Sequence, residues 1–261
     1  MNKQERRDRR IHLIIVLPLL GFLLAAPAFA AHPLITDDAG TLGRGKWQVE
    51  LDSQYEHEHG HGITENNTEV APLVTYGVTE TTDVIVGNPY HIVREREDGP
   101  TTREKGFTDA SLDVKWRFYE KDGLSLSFKP GITLPTGNEE KGLGTGKLTY
   151  KLFFITTMDW EKWAFHLNVG YLHNDNTQNA RTDIWHVSLA SEYRLSTRLR
   201  AVANIGVERG DDPASGSNPA FFLGGLICSL TDRLDIDGGY KHGLTKSEAE
   251  STILFGVTLR F

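Results

Sequence analysis

From Trp47 onward, apolar and polar side chains alternate. Trp47, Val49, Leu51, Ser53 and Tyr55 occupy one parity, and Gln48, Glu50, Asp52, Gln54 and Glu56 the other. A period of two marks a strand with one apolar and one strongly polar face. Ala110, Leu112, Val114, Trp116 and Phe118 repeat the pattern against Asp109, Ser111, Asp113, Lys115 and Arg117. After Glu120-Lys121-Asp122-Gly123 it restarts at Leu124, so an Asp-Gly hairpin joins the two runs. The template predicts twelve strands, at about 46–57, 67–77, 82–93, 107–119, 124–135, 147–158, 163–173, 183–193, 198–209, 219–230, 234–242 and 251–261. In the second, sixth and tenth of these, Leu73, Phe153, Ile155, Phe221 and Leu223 fall on the polar parity, where a bulge or slipped register is expected.

The connections alternate in length. Val78–Thr81, Glu120–Gly123, Asp159–Lys162, Arg194–Thr197 and Thr231–Arg233 are tight, whereas Glu58–Asn66, Arg94–Gly106, Thr136–Gly146, Asn174–Thr182, Gly210–Asn218 and Gly243–Glu250 are long and polar. An even number of strands of about ten residues, joined by short turns at one end and long loops at the other, is what an outer-membrane barrel requires. The expected fold is all-β: a transmembrane antiparallel up-and-down barrel of about 12 strands with a lipid-facing apolar exterior.

Charges facing hydrocarbon cost about 2 to 4 kcal/mol each near the bilayer midplane, so the polar parity must line the lumen. That assigns Glu50, Asp52, Asp109, Asp113, Lys115, Arg117, Lys129, Lys151, His166, His186, Glu192, Arg200, Glu208, Asp235, Asp237, Lys241 and Arg260 to the interior. The last strand carries Phe255, Val257, Leu259 and Phe261 on its apolar face and ends on an aromatic, similar to the assembly signal of bacterial outer-membrane proteins. Trp47, Tyr76, Tyr90, Tyr119, Trp160, Trp163, Tyr193 and Tyr240 lie near strand ends, where an interfacial girdle would place them.

Residues 1–10 are basic, Ile11–Ala26 is apolar, and Ala28-Phe29-Ala30 follows. This reads as a cleaved secretory signal over 1–30, with Ala31 as the first mature residue. Residues 31–45 then form a periplasmic or lumen-plugging segment, and 46–261 the barrel. The formal charge of -7 becomes -10 once five basic and two acidic residues leave with the signal. This argues against nucleic acid as a partner. The single Cys228 excludes a disulfide framework.

Candidate chemistry is sparse. His57, His59 and His61 share a strand parity and could ligate zinc or copper, but spacing fixes no fourth ligand, and a solvated loop base is the expected reading. Gly142–Lys147 resembles a phosphate loop but has Lys141 where its first glycine belongs and Leu148 where Ser or Thr belongs. His186 and Ser188 share a face, an arrangement that suits a hydrolase, yet no serine-elbow motif is present. Neither enzymatic activity nor a cofactor is expected.

The run His32-Pro33-Leu34-Ile35-Thr36-Asp37-Asp38-Ala39-Gly40 through Gly45-Lys46-Trp47, the segment Gly131-Ile132-Thr133-Leu134-Pro135-Thr136-Gly137, and Phe255–Phe261 resemble the MetA-pathway phenol-degradation family of transporters, β-barrels of the Gram-negative outer membrane. The resemblance spans essentially the whole mature chain and implies passage of small, aromatic-class molecules. Expected partners are therefore outer-membrane lipid, the barrel-assembly machinery and a small-molecule solute. The alternative is a structural or surface-interaction barrel whose lumen is plugged by paired charges.

Overall fold

Each strand face sorts its residues as the alternation requires. The structure, a computed structural model, describes residues 32–60, 63–96 and 102–261. Its strands are β1 (Trp47–Gly60), β2 (Ile63–Gly77), β3 (Thr82–Gly87), β4 (Tyr90–Arg96), β5 (Thr102–Phe107), β6 (Ala110–Lys121), β7 (Leu124–Leu134), β8 (Thr149–Trp160), β9 (Trp163–His173), β10 (Asp183–Arg194), β11 (Leu199–Glu208), β12 (Ala220–Ser229), β13 (Leu234–Gly243) and β14 (Ser251–Arg260). All pair antiparallel with their neighbours, and β1 pairs with both β2 and β14, which closes the barrel; β5, which pairs with β4 alone among the described residues, keeps one free edge beyond the closed wall.

Two of the staves are broken. β3 and β4 both pair with β2, separated by Asn88-Pro89, and β5 and β6 are separated by Thr108-Asp109. Pro89 has no N–H to give the ladder, and its carbonyl instead accepts from Thr108 N at 2.8 Å. Counting each broken pair as one stave gives a closed 12-strand antiparallel barrel. The β6–β7 hairpin turns on two residues, Asp122 (φ 51) and Gly123 (φ 83), the left-handed pair that matches strand twist. At the opposite end β1 and β2 remain paired out to Gly60 and Ile63, so the described part of the expected long loop Glu58–Asn66 is strand.

The outer face is predominantly apolar: Leu51, Trp116, Leu189, Ile253 and Phe255 are each exposed there. Aromatic rings gather at both rims. Trp47 lies 4.5 Å from Tyr76 and Trp163 4.6 Å from Tyr193 at the short-turn end; Tyr150, Tyr171, Trp185 and Tyr240 stand toward the long-loop end. No helix among the described residues is long and apolar enough to cross a membrane, as expected of a chain that crosses with strands.

The expected register faults are corrected. The ladders of β2, β8 and β12 run without a shift, and the register shift that does occur lies in β6 between Arg117 and Tyr119. Ile155 and Leu223 are fully buried and Phe221 nearly so, and for Phe221 and Leu223 the interior has something apolar to receive them. Phe221, Leu223 and Leu254 form one cluster, and Leu34 packs against it.

Candidate solute passage in the barrel interior

The chain before β1 enters the barrel at the short-turn end and follows its inner wall. Gly43 and Gly45 take positive φ (86 and 78), and a Cβ on Gly77 would lie 1.9 Å from the Gly43 carbonyl oxygen, so this crossing needs a bare backbone. Leu42 N donates to Asp83 Oδ2 (3.0 Å) on β3, and Ala39 is held by Thr157 on β8 (2.9 Å) and by Ser127 on β7 (2.6 Å). The Asp37 carboxylate accepts from Lys115 Nζ (2.9 Å) and Lys129 Nζ (2.8 Å), one oxygen to each. Asn204 on β11 reads the next two residues, accepting from Ile35 N (2.8 Å) and Thr36 N (3.1 Å) while donating to Thr36 Oγ1 (2.7 Å).

The far end of this strap meets glycines. Cβ atoms on Gly225 and Gly239 would fall 2.8 and 2.9 Å from the Pro33 ring, and one on Gly256 would fall 2.6 Å from His32 Nδ1. All three lie on the inward parity of β12, β13 and β14, so the wall is thinned where the strap lies. His32 Nδ1 ends the run 2.6 Å from Asp237 Oδ1.

The strap's titratable groups respond to this setting. Burial would raise Asp37, but the Lys115 and Lys129 charges beside it outweigh that and hold it well below the ordinary carboxylate range. Asp38, buried with Asp37 beside it, is pushed up to about 6 despite Lys115. For His32, burial works against protonation, but the Asp237 hydrogen bond and the Asp52, Asp237 and Glu50 charges together raise its pKa above 6.5.

The residues assigned to the lumen from the sequence lie on the inward face, and most of them are paired. Lys151 meets Asp113 (3.0 Å), Arg200 meets Glu192 (2.7 Å), and Arg260 meets Asp235 (2.9 Å) and Gln48 (2.9 Å). Lys241 bridges Glu248 (2.7 Å) and Glu56 (3.7 Å), and Arg117 meets Glu120 (3.0 Å). His166 is fully buried between Thr157 (2.9 Å) and Glu192 (3.5 Å). Asp109 faces inward at the long-loop end and fastens the loop that follows β7, accepting from Gly137 N (2.9 Å), Thr145 N (2.7 Å) and Thr145 Oγ1 (2.8 Å). His91 pairs with Glu69.

Between the strap and the wall formed by β1, β2 and β3 lies a cavity of about 200 Å³. Glu50, Asp52, Thr75, Asp83 and Ile85 line its barrel side, and Asp37, Asp38, Lys115 and Lys129 its other side. A wider hollow of about 580 Å³ opens among Lys105, Phe107 and the loop residues from Thr136 to Leu143.

Of the other sequence candidates, His186 stands 2.9 Å from Ser188 Oγ and 3.1 Å from Glu208 Oε2, in the order of a serine relay. Ser188 is nearly fully buried, and its strand is laddered on both sides to Asn168 and Gly206, so no neighbouring backbone N–H is set aside for an oxyanion. His57 Nδ1 pairs with Asn66 (2.9 Å). The His59 side chain and all of His61 lie outside the described residues, as does the expected signal over residues 1–30. Sequence reasoning missed Asp37 on the strap and Ser127, Thr157 and Asn204 as its partners on the wall; the signal for a docked segment was the apolar and glycine residues interrupting the polar parity.

Among solved structures, the fold is similar to a crystal structure described as the COG4313 outer membrane channel from Pseudomonas putida F1, at 16% identity and TM-score 0.67, over 86% of this chain and 98% of that one. It is also similar to the KdgM porin (8% identity, TM-score 0.57, 82% and 99% covered) and the NanC porin (9%, 0.53, 81% and 98%). No curated protein sequence matches. The family model described as "Putative MetA-pathway of phenol degradation" matches residues 30–261, and the chain belongs to that family.

Proposed function

We propose that the protein is an outer-membrane channel for passive passage of small solutes, exported by a cleaved signal over residues 1–30 and inserted with Phe261 as part of its assembly signal. The observation that carries this reading is the cavity left open between strap and wall inside a closed barrel. At about 200 Å³ it lies below the roughly 300 Å³ at which ordinary ligand pockets begin, so it suits a single small molecule. The family description points to aromatic compounds, and the structural neighbours named as a channel and porins are consistent with passage.

A second reading has its own support: the paired charges along the strap would also suit a barrel closed by a plug. Planar-bilayer recordings separate the two. Discrete conductance steps from the intact chain are expected. A fully inserted barrel that stays silent, and conducts only when residues 32–45 are deleted, would replace the channel with the plugged structural barrel.

A further inference from the structure

Charge is distributed unevenly around the cavity. Lys115 and Lys129 come from β6 and β7, His32 at the strap's far end is tied to Asp237, and no basic residue of β1, β2 or β3 lines it. The strap brings two carboxylates to those two lysines. Asp37 binds both ammonium groups, at 2.9 and 2.8 Å, and Lys115 also donates to the Asp38 carbonyl at 3.2 Å, with the Asp38 carboxylate close by. The other inward lysines and arginines named above are held in ion pairs of their own. On the facing wall Glu50 and Asp52 have no ion pair among the described residues, Asp52 Oδ1 is buried without a hydrogen-bond partner, and Asp83 is engaged only by the Leu42 backbone.

Resting on the channel reading above, we propose that Asp37 sets the charge selectivity of the passage: it occupies the two lysines of the β6–β7 wall, so that the solute meets the unpaired carboxylates of Glu50 and Asp52. Lining charges select permeating ions by sign, and a low-dielectric wall lengthens their reach. Small cations and neutral molecules therefore pass, and small anions are rejected. The strap supplies selectivity as well as narrowness. A barrel without it would be wider and would present Lys115 and Lys129 bare.

The test is reversal potential in a KCl gradient across a planar bilayer at neutral pH. The intact protein should favour K⁺ over Cl⁻. Asp37→Asn should lower the permeability ratio by about twofold or more while leaving conductance of the same order. Glu50→Gln/Asp52→Asn, which leaves the strap's lysine pairs intact, should lower it as well, and Lys115→Gln/Lys129→Gln should hold or raise it. These two double variants also read the proposal if Asp37→Asn fails to insert. An anion-preferring intact channel overturns the inference. So does a several-fold rise in conductance in Asp37→Asn without a change of selectivity, which would make Asp37 a mere fastener. A silent intact protein is the separate failure of the channel reading itself.

Discussion

His32 and Asp237 are 205 positions apart in the chain, yet their side chains meet at 2.6 Å and fix the far end of the strap to β13. The meeting point is crowded with acid: Asp52 and Glu50 of β1 also act on His32. Because its docked pKa is raised above 6.5, its contribution to docking is complete below 6.5 and is lost as pH rises through the raised value. Asp38, raised from 3.8 to about 6, acts in the same direction but earlier, its penalty accruing between those two values and constant above them, so the loosening above 6.5 belongs to His32. Asp37, lowered, contributes throughout this range and weakens only in strong acid. The strap should therefore loosen as pH rises above 6.5. Hydrogen exchange of the Leu34–Thr36 amides should quicken over that interval, and His32→Gln should flatten the response. Exchange that slows with pH, after correction for intrinsic rates, would reverse the sign argued here.

Gly239 tests the strap by shape rather than charge. A Cβ there would sit 2.9 Å from Pro33 and 3.4 Å from the nearest backbone atom, so Gly239→Val presses on the strap more than on the sheet. The barrel should still insert, while mean conductance rises and the half-buried Leu34 loses its place on Phe221 and Leu223, an apolar burial of about 1 kcal/mol. Unchanged conductance with unchanged insertion would show that Pro33 does not narrow the path.

The barrel was largely legible in the sequence because its dominant constraint is periodic. Segments expected at 124–135 and 163–173 correspond to β7 (Leu124–Leu134) and β9 (Trp163–His173), and the inward parity of Lys115, Glu192 and Asp237 follows from the pleat alone. The strap was not legible in the same way. Residues 32–46 have no repeating pattern, and their partners, such as Asn204 and Thr157, are more than a hundred positions away. Leu223 and Phe221 looked like register errors because parity assumes a wet lumen; beside a docked Leu34 an inward apolar side chain is ordinary core. The break at Asn88-Pro89 was written in the proline but masked by the alternation on either side.

Phe261 tests assembly. Its backbone N–H donates to the Trp47 carbonyl at 2.9 Å and its carbonyl accepts from Trp47 N at 3.3 Å, so the last residue continues the β14–β1 seam that closes the barrel. Phe261→Asp places a charge at the outer rim of that seam, where the ring is now exposed. Insertion should fall, with aggregated or degraded protein in the periplasm. Normal yields of folded barrel in the outer-membrane fraction would remove the terminal aromatic from the assembly signal.

Neighbouring positions on β10 separate inside from outside at one depth. Val187 is on the outer face, between Val169 and Val207 of the adjoining strands, while His186 points inward against Glu208 at 3.1 Å. Val187→Arg puts a guanidinium into hydrocarbon, costing up to about 2 to 4 kcal/mol at the midplane and less toward the interface. His186→Arg places the same group in the polar interior with a carboxylate in reach, so its cost should be small. Both are measured as unfolding free energies in urea from lipid vesicles, with the wild-type barrel as reference. The expected order is Val187→Arg well below His186→Arg in stability. If the inward arginine is the more damaging one, the apolar face of β10 is not the face that meets lipid, and the barrel's inside and outside are exchanged.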